Sequence, residues 1–402
     1  MLTYWRARLR QSEHPERIFD AVREVVAATG VLKGKRRRAL DSTLLDDAVA
    51  TQDTVTQLVS AIRRVRRLVP EAAMVAVRAH DYDTAGKPVC AWDDPEAKDA
   101  LITGLVNDAR AIIDALTAVV LDRDQADAVG LLALVAGQDV EPGDEDGTWR
   151  IARRVAPDRV ISTVDPQSRH MHKSVSEYRD GFKAHVAVEP ETGLITACAL
   201  TPANTADGPT GVTLLDGEKR GLQVLADSAY GSGEVRVELR RRRHHSAIKA
   251  IPLRRAVPGG FDRDDFHVDH QARTVTCPAG HQRAITSSGA ATFGVICREC
   301  PHRDRCTTSK TGRTLHVGEN DAELVEARRA WRDGDFAEDY RQWRPMVERS
   351  IAWLVARGHR RVRYRGIERN QLGRAHRVAA INLRRLVNLG LDHNGRRWIL
   401  AP

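Results

Sequence analysis

Apolar positions in the first 36 residues recur at helical spacing, with Ile18, Ala21, Val22, Val25 and Val26 on one stripe, so this stretch predicts helix. After the basic KGKRRR comes ALDSTLLDDAV, which reads as a short strand leading into a helix. Residues 52–136 are overwhelmingly helical in pattern, as in TVTQLVSAIRRVRRLV and DALITGLVNDARAIIDALTAVV, and the turn-rich EPGDEDGT closes this block. Near residue 160 the period changes. GFKAHVAVEPETGLITACAL reads as two strands joined through Pro190, Glu191, Thr192 and Gly193, a hairpin. A short helix in GPTGVTLLDGE follows, then the apolar strand LQVLADSAYG ending on Asp227, a helix from Gly233 to Arg243, and a third apolar segment, SAIKAIPL. This order predicts an α/β fold with a mixed sheet. Residues 254–334 interrupt it with polar, Pro- and Gly-containing sequence. The chain resumes with AEDYRQWRPMVERSIAWLVARG, a helix entered or kinked at Pro345, and QLGRAHRVAAINLRRLVNLGL, a second amphipathic helix.

Composition narrows the class. The 402 residues can bury one large core or two ordinary ones. No apolar run approaches the roughly 18 residues of a membrane span, and MLTYWRARLRQSEHPERIF lacks an apolar segment followed by a small-residue cleavage site. A cytoplasmic, nucleoid-associated protein is expected. Its formal net charge of +9 favours a polyanionic partner. The distribution says more: residues 90–148 carry 14 acids against 3 bases, whereas residues 341–402 carry 15 Arg, no Lys and 3 acids. An all-Arg tail suits bidentate phosphate contacts. The plainer alternative is a solvated basic face, or partial neutralisation against the acidic segment.

Three acids stand where a cation could be held: Asp41 in ALDST, Asp227 in VLADSAYG and Glu348 in RPMVERSIAWL. Mg²⁺ takes octahedral oxygen ligands and keeps several waters, so two or three carboxylates suffice alongside a substrate phosphate. Two such ions, roughly 3.5–4 Å apart, serve an in-line displacement at phosphorus. Each acid also has a plain structural reading: Asp41 and Asp227 as caps or turn residues, and Glu348 as a surface acid paired with Arg344 at i−4. Asp165 in STVDPQSRH is a rival for the first position.

The run YRDGFKAHVAVEPETGLITACALTPANTADG, then VLADSAYGSGE, and finally YRQWRPMVERSIAWL resemble the DDE-domain transposases of bacterial insertion sequences, from about residue 37 to 391. ALDSTLLDDAV is similar to that family's first-acid motif. The resemblance implies a ribonuclease H-like core with Asp41 on the first strand, Asp227 after the fourth and Glu348 on a late helix. These acids would hold two Mg²⁺ or Mn²⁺ ions for DNA strand cleavage and strand transfer. It further implies DNA partners (terminal inverted repeats and target) engaged by a homodimer. Arg344, Arg349, Arg357, Arg360, Arg361, Arg363 and Arg365 are the expected DNA contacts. The corresponding division is 1–36, a remnant of a truncated N-terminal helical DNA-binding region; 37–253, the first part of the core with a helical insertion at about 52–150; 254–334, a Cys-rich insertion; and 335–402, core completion. An inactive DNA-binding relic and a zinc-ribbon adaptor are the alternative functions.

Cys277, Cys297, Cys300 and Cys306 read C-x19-C-x2-C-x5-C, with His281 four residues after the first. Thiolates and imidazole match the softness of tetrahedral Zn²⁺. A metal would help a segment so poor in apolar residues to fold. The expectation is a structural zinc on four thiolates, with His281 as an alternative ligand; reduced thiols without metal are the other reading. Cys90 and Cys198 stand alone, as buried thiols.

Overall fold

The computed structural model of the chain describes residues 2–172 and 176–401. Its centre is a mixed six-stranded sheet made of β1 (Arg37–Asp46), β2 (Arg169–His172), β3 (Tyr178–Glu189), β4 (Leu194–Pro202), β5 (Gln223–Ala226) and β6 (His245–Ile248). Across the sheet the order is β2-β3-β1-β5-β6, with β4 on the same side of β3 as β2. β1 runs antiparallel to β3, from Ala39 opposite Val188 to Asp46 opposite Gly181. On its other side it runs parallel to β5, and β5 runs parallel to β6. The antiparallel β3–β4 pair is the hairpin predicted from the alternating apolar run and its PETG turn.

Gly181 shows how tightly β3 meets β1. Its φ is +148°, and a Cβ there would lie 2.1 Å from the Leu45 carbonyl oxygen, so only glycine fits.

Both faces of the sheet are covered. On one, Ala39, Leu45, Phe182, Ala184, Val186, Val188 and Leu225 pack against α10 (Pro345–Val355) and α11 (Ile367–Asn388). On the other, Leu40, Val224 and Ala226 pack against α6 (Asp207–Thr213) and α7 (Gly233–Arg241). Helices α3 (Thr54–Leu68), α4 (Pro95–Ala115) and α5 (Arg123–Gln138) stand apart around a core of their own, built on residues such as Leu58, Ile62, Leu105, Ile112 and Leu132. Asp122 caps α5 through a reciprocal capping box with Gln125, which fixes where that helix starts.

Three local expectations need correction. The N-terminal stretch is two helices, α1 (Leu2–Arg10) and α2 (Arg17–Thr29). α2 buries Val22 and Val26 as predicted, but at its start Phe19 is buried in place of Ile18, which is 41% exposed. β1 is a ten-residue strand, and the next helix begins only at Thr54; Leu44, Leu45 and Asp46 continue the ladder against β3 rather than starting a helix. Asp41 therefore lies mid-strand. The helical block is also broken by irregular chain between Met74 and Asp94.

The cysteine-containing segment forms a three-stranded ladder (267–269, 274–276, 282–284) and a two-stranded one (290–292, 314–316). A small cluster including Phe266, Val275, Phe293 and Leu315 holds them together. It is tied to α8 (Asp321–Asp333), where Asp264 accepts from Arg328 at 2.7 Å and Arg332 at 2.6 Å. From α8 the chain passes through α9 (Ala337–Trp343) into α10, with Pro345 at the first position of α10, as predicted.

Candidate active site

Strand alternation brings the first two acids together. β1 and β5 are in parallel register, Ala39 opposite Leu225, and that pair is the last of the ladder. Two residues further on each strand come Asp41 and Asp227. A period of two puts each acid on the face of its predecessor, the face that α10 covers. In open α/β sheets ligands bind beyond the carboxyl ends of parallel strands; Asp227 is there, and Asp41 lies just past the part of β1 that pairs with β5. α10 supplies Glu348 from its first turn, 121 residues after Asp227.

The three carboxylates converge on one guanidinium. Arg344 Nη2 lies 3.0 Å from Asp41 Oδ2 and 3.9 Å from Asp227 Oδ2, and Nη1 lies 3.4 Å from Glu348 Oε1. The Arg344 side chain is 6% exposed, against 16%, 45% and 66% for the acids, so the site grades from a buried floor to an open rim. Asp41 and Asp227 also use their second oxygens. Asp41 Oδ1 accepts from Ser42 N–H at 2.8 Å, and Asp227 Oδ1 caps the Ser228–Tyr230 turn through Ala229 N–H at 2.9 Å. The cap expected of Asp227 and the i−4 pair expected of Glu348 both exist, within one shared cluster.

Burial lifts the Asp41 carboxyl to about 6; Arg344 and the Ser42 amide oppose the rise and Asp227 adds to it. Burial pulls Arg344 the other way, but Asp41, Tyr340 and Asp227 more than offset it and leave the guanidinium above its ordinary value. Tyr340, four residues before Arg344, lies beside the same cluster. Its hydroxyl is pushed up, first by burial, with Asp227, Glu348 and Asp41 adding to the rise.

Behind Asp41, on the opposite face of the sheet, is a polar group that the sequence did not advertise. Lys183 and His185, two apart on β3, both face Asp207 at 3.3 and 3.6 Å. Lys183 also donates to the Thr205 carbonyl, and His185 Nε2 lies 2.9 Å from Thr201 Oγ1. Burial holds His185 down at about 4. Tyr230, 1% exposed, lies among the same groups, its hydroxyl pushed up first by burial and then by Asp207 and Asp41. The only sequence signal was two polar residues at i and i+2 within an apolar strand.

Cys277, Cys297, Cys300, Cys306 and His281 line one small pocket floored by Phe266 and Phe293. All six cysteines of the chain are free thiols. Burial raises Cys306, with Arg313 opposing and the other three thiols of the cluster adding to the rise. Among the described residues, no three His, Cys, Asp or Glu side chains are drawn together as a metal-holding set, here or at the acids. At the acids, the Arg344 guanidinium stands between them.

Residues 276–387 match a family model described as a transposase DDE domain. No curated protein and no solved structure matches the chain. The matched span contains Glu348, Arg344 and the four clustered cysteines, and stops short of Asp41 and Asp227. Together with the mixed sheet and its flanking helices, the match supports a DDE transposase with a ribonuclease H-like domain.

The remaining expected DNA contacts divide by environment. Arg349, Arg357, Arg361, Arg363 and Arg365 are exposed. Arg360 is half-buried and donates to Thr43 Oγ1 and the Leu44 carbonyl, so it braces β1. Arg344, expected to touch phosphate, is instead turned onto the acids. Asp165, the rival first acid, is 2% exposed and accepts from Gly366 N–H at 3.0 Å, where it fixes the entry to α11. No helix among the described residues is long and apolar enough to cross a membrane.

Proposed function

We propose that the chain cleaves DNA strands at insertion-sequence ends and transfers them to target DNA, with Asp41, Asp227 and Glu348 as the ligands of two Mg²⁺ or Mn²⁺ ions. One observation carries this reading: three carboxylates from separate elements meet at one buried arginine. The donor set fits hard divalent cations, being all oxygen, with one carboxylate destabilised as an anion by burial. Such ions would supply a metal-activated oxygen nucleophile and charge neutralisation at the phosphodiester.

The protein's own groups do the rest. Asp41 gives up its proton above about pH 6 and so becomes an available ligand at neutral pH. Arg344 holds the three acids near one another while no cation is present, offsetting their repulsion. Asp339 on α9 accepts from Arg37 at 3.2 Å and Gln223 at 2.9 Å, tying the chain just before Arg344 and Glu348 to the strands that bear Asp41 and Asp227. Exposed Arg349, Arg357, Arg361, Arg363 and Arg365 follow Glu348 closely and would seat the DNA backbone, contacts that position without reading sequence. A structural zinc on Cys277, Cys297, Cys300 and Cys306 belongs to the same reading, since four thiols on one pocket wall are a soft donor set.

The test is strand cleavage of supercoiled DNA in Mg²⁺ or Mn²⁺ by wild type and Asp227→Ala, with binding measured in parallel. Wild type should cut, and the variant should bind DNA without cutting it. Equal cutting by both would overturn the assignment of Asp227. Binding without cutting by wild type would point to the inactive relic or the adaptor.

A further inference from the structure

A second place in the molecule is built for an anion, away from the acids. α1 and α11 face each other across a cavity of ≈ 200 Å³ lined by Arg6, Arg10, Tyr364, Arg369 and His376. A single water needs only roughly 10–15 Å³ of such space, so there is room for a larger group. Arg6 and Arg10, four apart, share one side of α1; Arg369 and His376, seven apart, share one side of α11. A smaller cavity of ≈ 70 Å³ continues past Arg6, Tyr364 and His376 to Arg361, Arg363 and Arg374.

Its charge is unbalanced. No acid lines either cavity, and among the described residues none of these six arginines is in an ion pair. Glu16 bears on His376 from outside the lining. Two nitrogens are buried without a hydrogen-bond partner, His376 Nε2 and Arg374 Nε. Burial draws Arg374 down to about 10 and lowers His376, with Arg6 adding to the latter. Arg6, Arg361, Arg363 and Arg369 are exposed, but Arg374 is buried and His376 half-buried with no acid in the lining. That local lack of counter-charge costs free energy, and a dianionic ligand would offset it through charge-assisted hydrogen bonds.

The attachment of α1 is correspondingly thin. Among the described residues, its hydrogen bond to the body is Arg6 Nη1 to the Tyr364 hydroxyl at 3.4 Å, and Tyr4 and Trp5 stay 58% and 52% exposed.

We propose that a phosphate group binds between Arg6 and Arg10 of α1 and Arg369 and His376 of α11, and that its binding docks α1 onto the body. The ligand is a tetrahedral phosphate, carried either by a DNA phosphodiester or by a free phosphate. The site does not depend on the acid trio, so it stands or falls apart from the proposed strand-transfer activity.

Hydrogen exchange of the amides of residues 2–10, measured in the full chain, tests this. Inorganic phosphate at about ten times its Kd should slow that exchange about tenfold. Sodium chloride at equal ionic strength should not. A short random-sequence duplex is the second arm: slowing by duplex identifies a phosphodiester source, and slowing by phosphate alone a free one. Arg369→Glu and, independently, Arg10→Glu should abolish the response, Arg369→Lys should keep most of it, and Asp227→Ala should keep all of it. No slowing by either ligand, equal slowing by chloride, or an unchanged response in both Glu variants would overturn the proposal.

Discussion

The acid cluster and the cysteine module both gather ligand-type side chains, but they are supported in opposite ways. Asp41 is mid-ladder against β3 in a ten-residue strand, and Asp227 and Glu348 are presented by elements packed on the main core. A protein cation, Arg344, stands at the centre of this cluster. The cysteines are on short ladders of three residues around a small apolar cluster. There the wall is thin, and the groups that would be ligands are part of the packing itself: Cys297 and Cys306 are buried members of that cluster. In the first case the fold positions the ligands, and in the second the ligands would have to help make the fold.

The largest expected effect probes the stand-in cation. Arg344→Met leaves Asp41 facing Asp227 and Glu348 with no counter-charge. Urea unfolding of the metal-free protein should show a loss of about 3 kcal/mol, at the low end for a broken buried pair because Asp227 and Glu348 are partly in solvent. Millimolar Mg²⁺ or Mn²⁺ should recover part of it. An unchanged midpoint would mean that Arg344 does not hold the acids.

Next is chelation. Purified protein should contain about one zinc per chain. A zinc chelator should raise hydrogen exchange across residues 274–317 while leaving β1, β3 and β5 protected. Uniform loosening, or none, would erase the contrast between the two regions. The smallest effect is a pH dependence within the core. His185 is neutral in the folded protein, held below 6.5 by burial, while the unfolded chain takes up a proton there. Its contribution is therefore intact above pH 6.5 and is lost as pH falls below it. His185→Gln should flatten that part of the stability–pH curve; an equally steep curve would assign the acid sensitivity to other groups.

Which parts were legible follows from how local each signal is. The β3–β4 hairpin announced itself because an apolar run, a Pro-Glu-Thr-Gly turn and a second apolar run are adjacent in the chain. Pro345 marked the start of α10 for an equally local reason. The depth of Asp41 was hidden: Leu44, Leu45 and Asp46 look like a helix start, and only pairing with Lys183, Phe182 and Gly181 of β3, distant in the chain, makes them strand. Arg344 was read as a phosphate-contacting arginine because i to i+4 pairing with Glu348 says nothing of the two acids beyond. His185, Asp207 and Tyr230 were missed because a buried polar network is visible only once three distant segments are stacked. The charge of the C-terminal tail was plain in the sequence, but not that Arg360 would brace β1.

The last residues that β1 and β5 pair with each other are Ala39 and Leu225, and beyond them β1 continues through Asp46 against β3 whereas β5 ends at Ala226 against β6, an unequal anchoring that makes the acid pair a vice with one fixed jaw and one more compliant one. Asp41 remains clamped by its ladder to β3 past the point where β5 lets go. Asp227 rides on a single turn of 3-10 helix. Any change in spacing demanded as bonds at phosphorus lengthen and shorten would be taken up on the Asp227 side, while Asp41 keeps the origin of the coordinate frame.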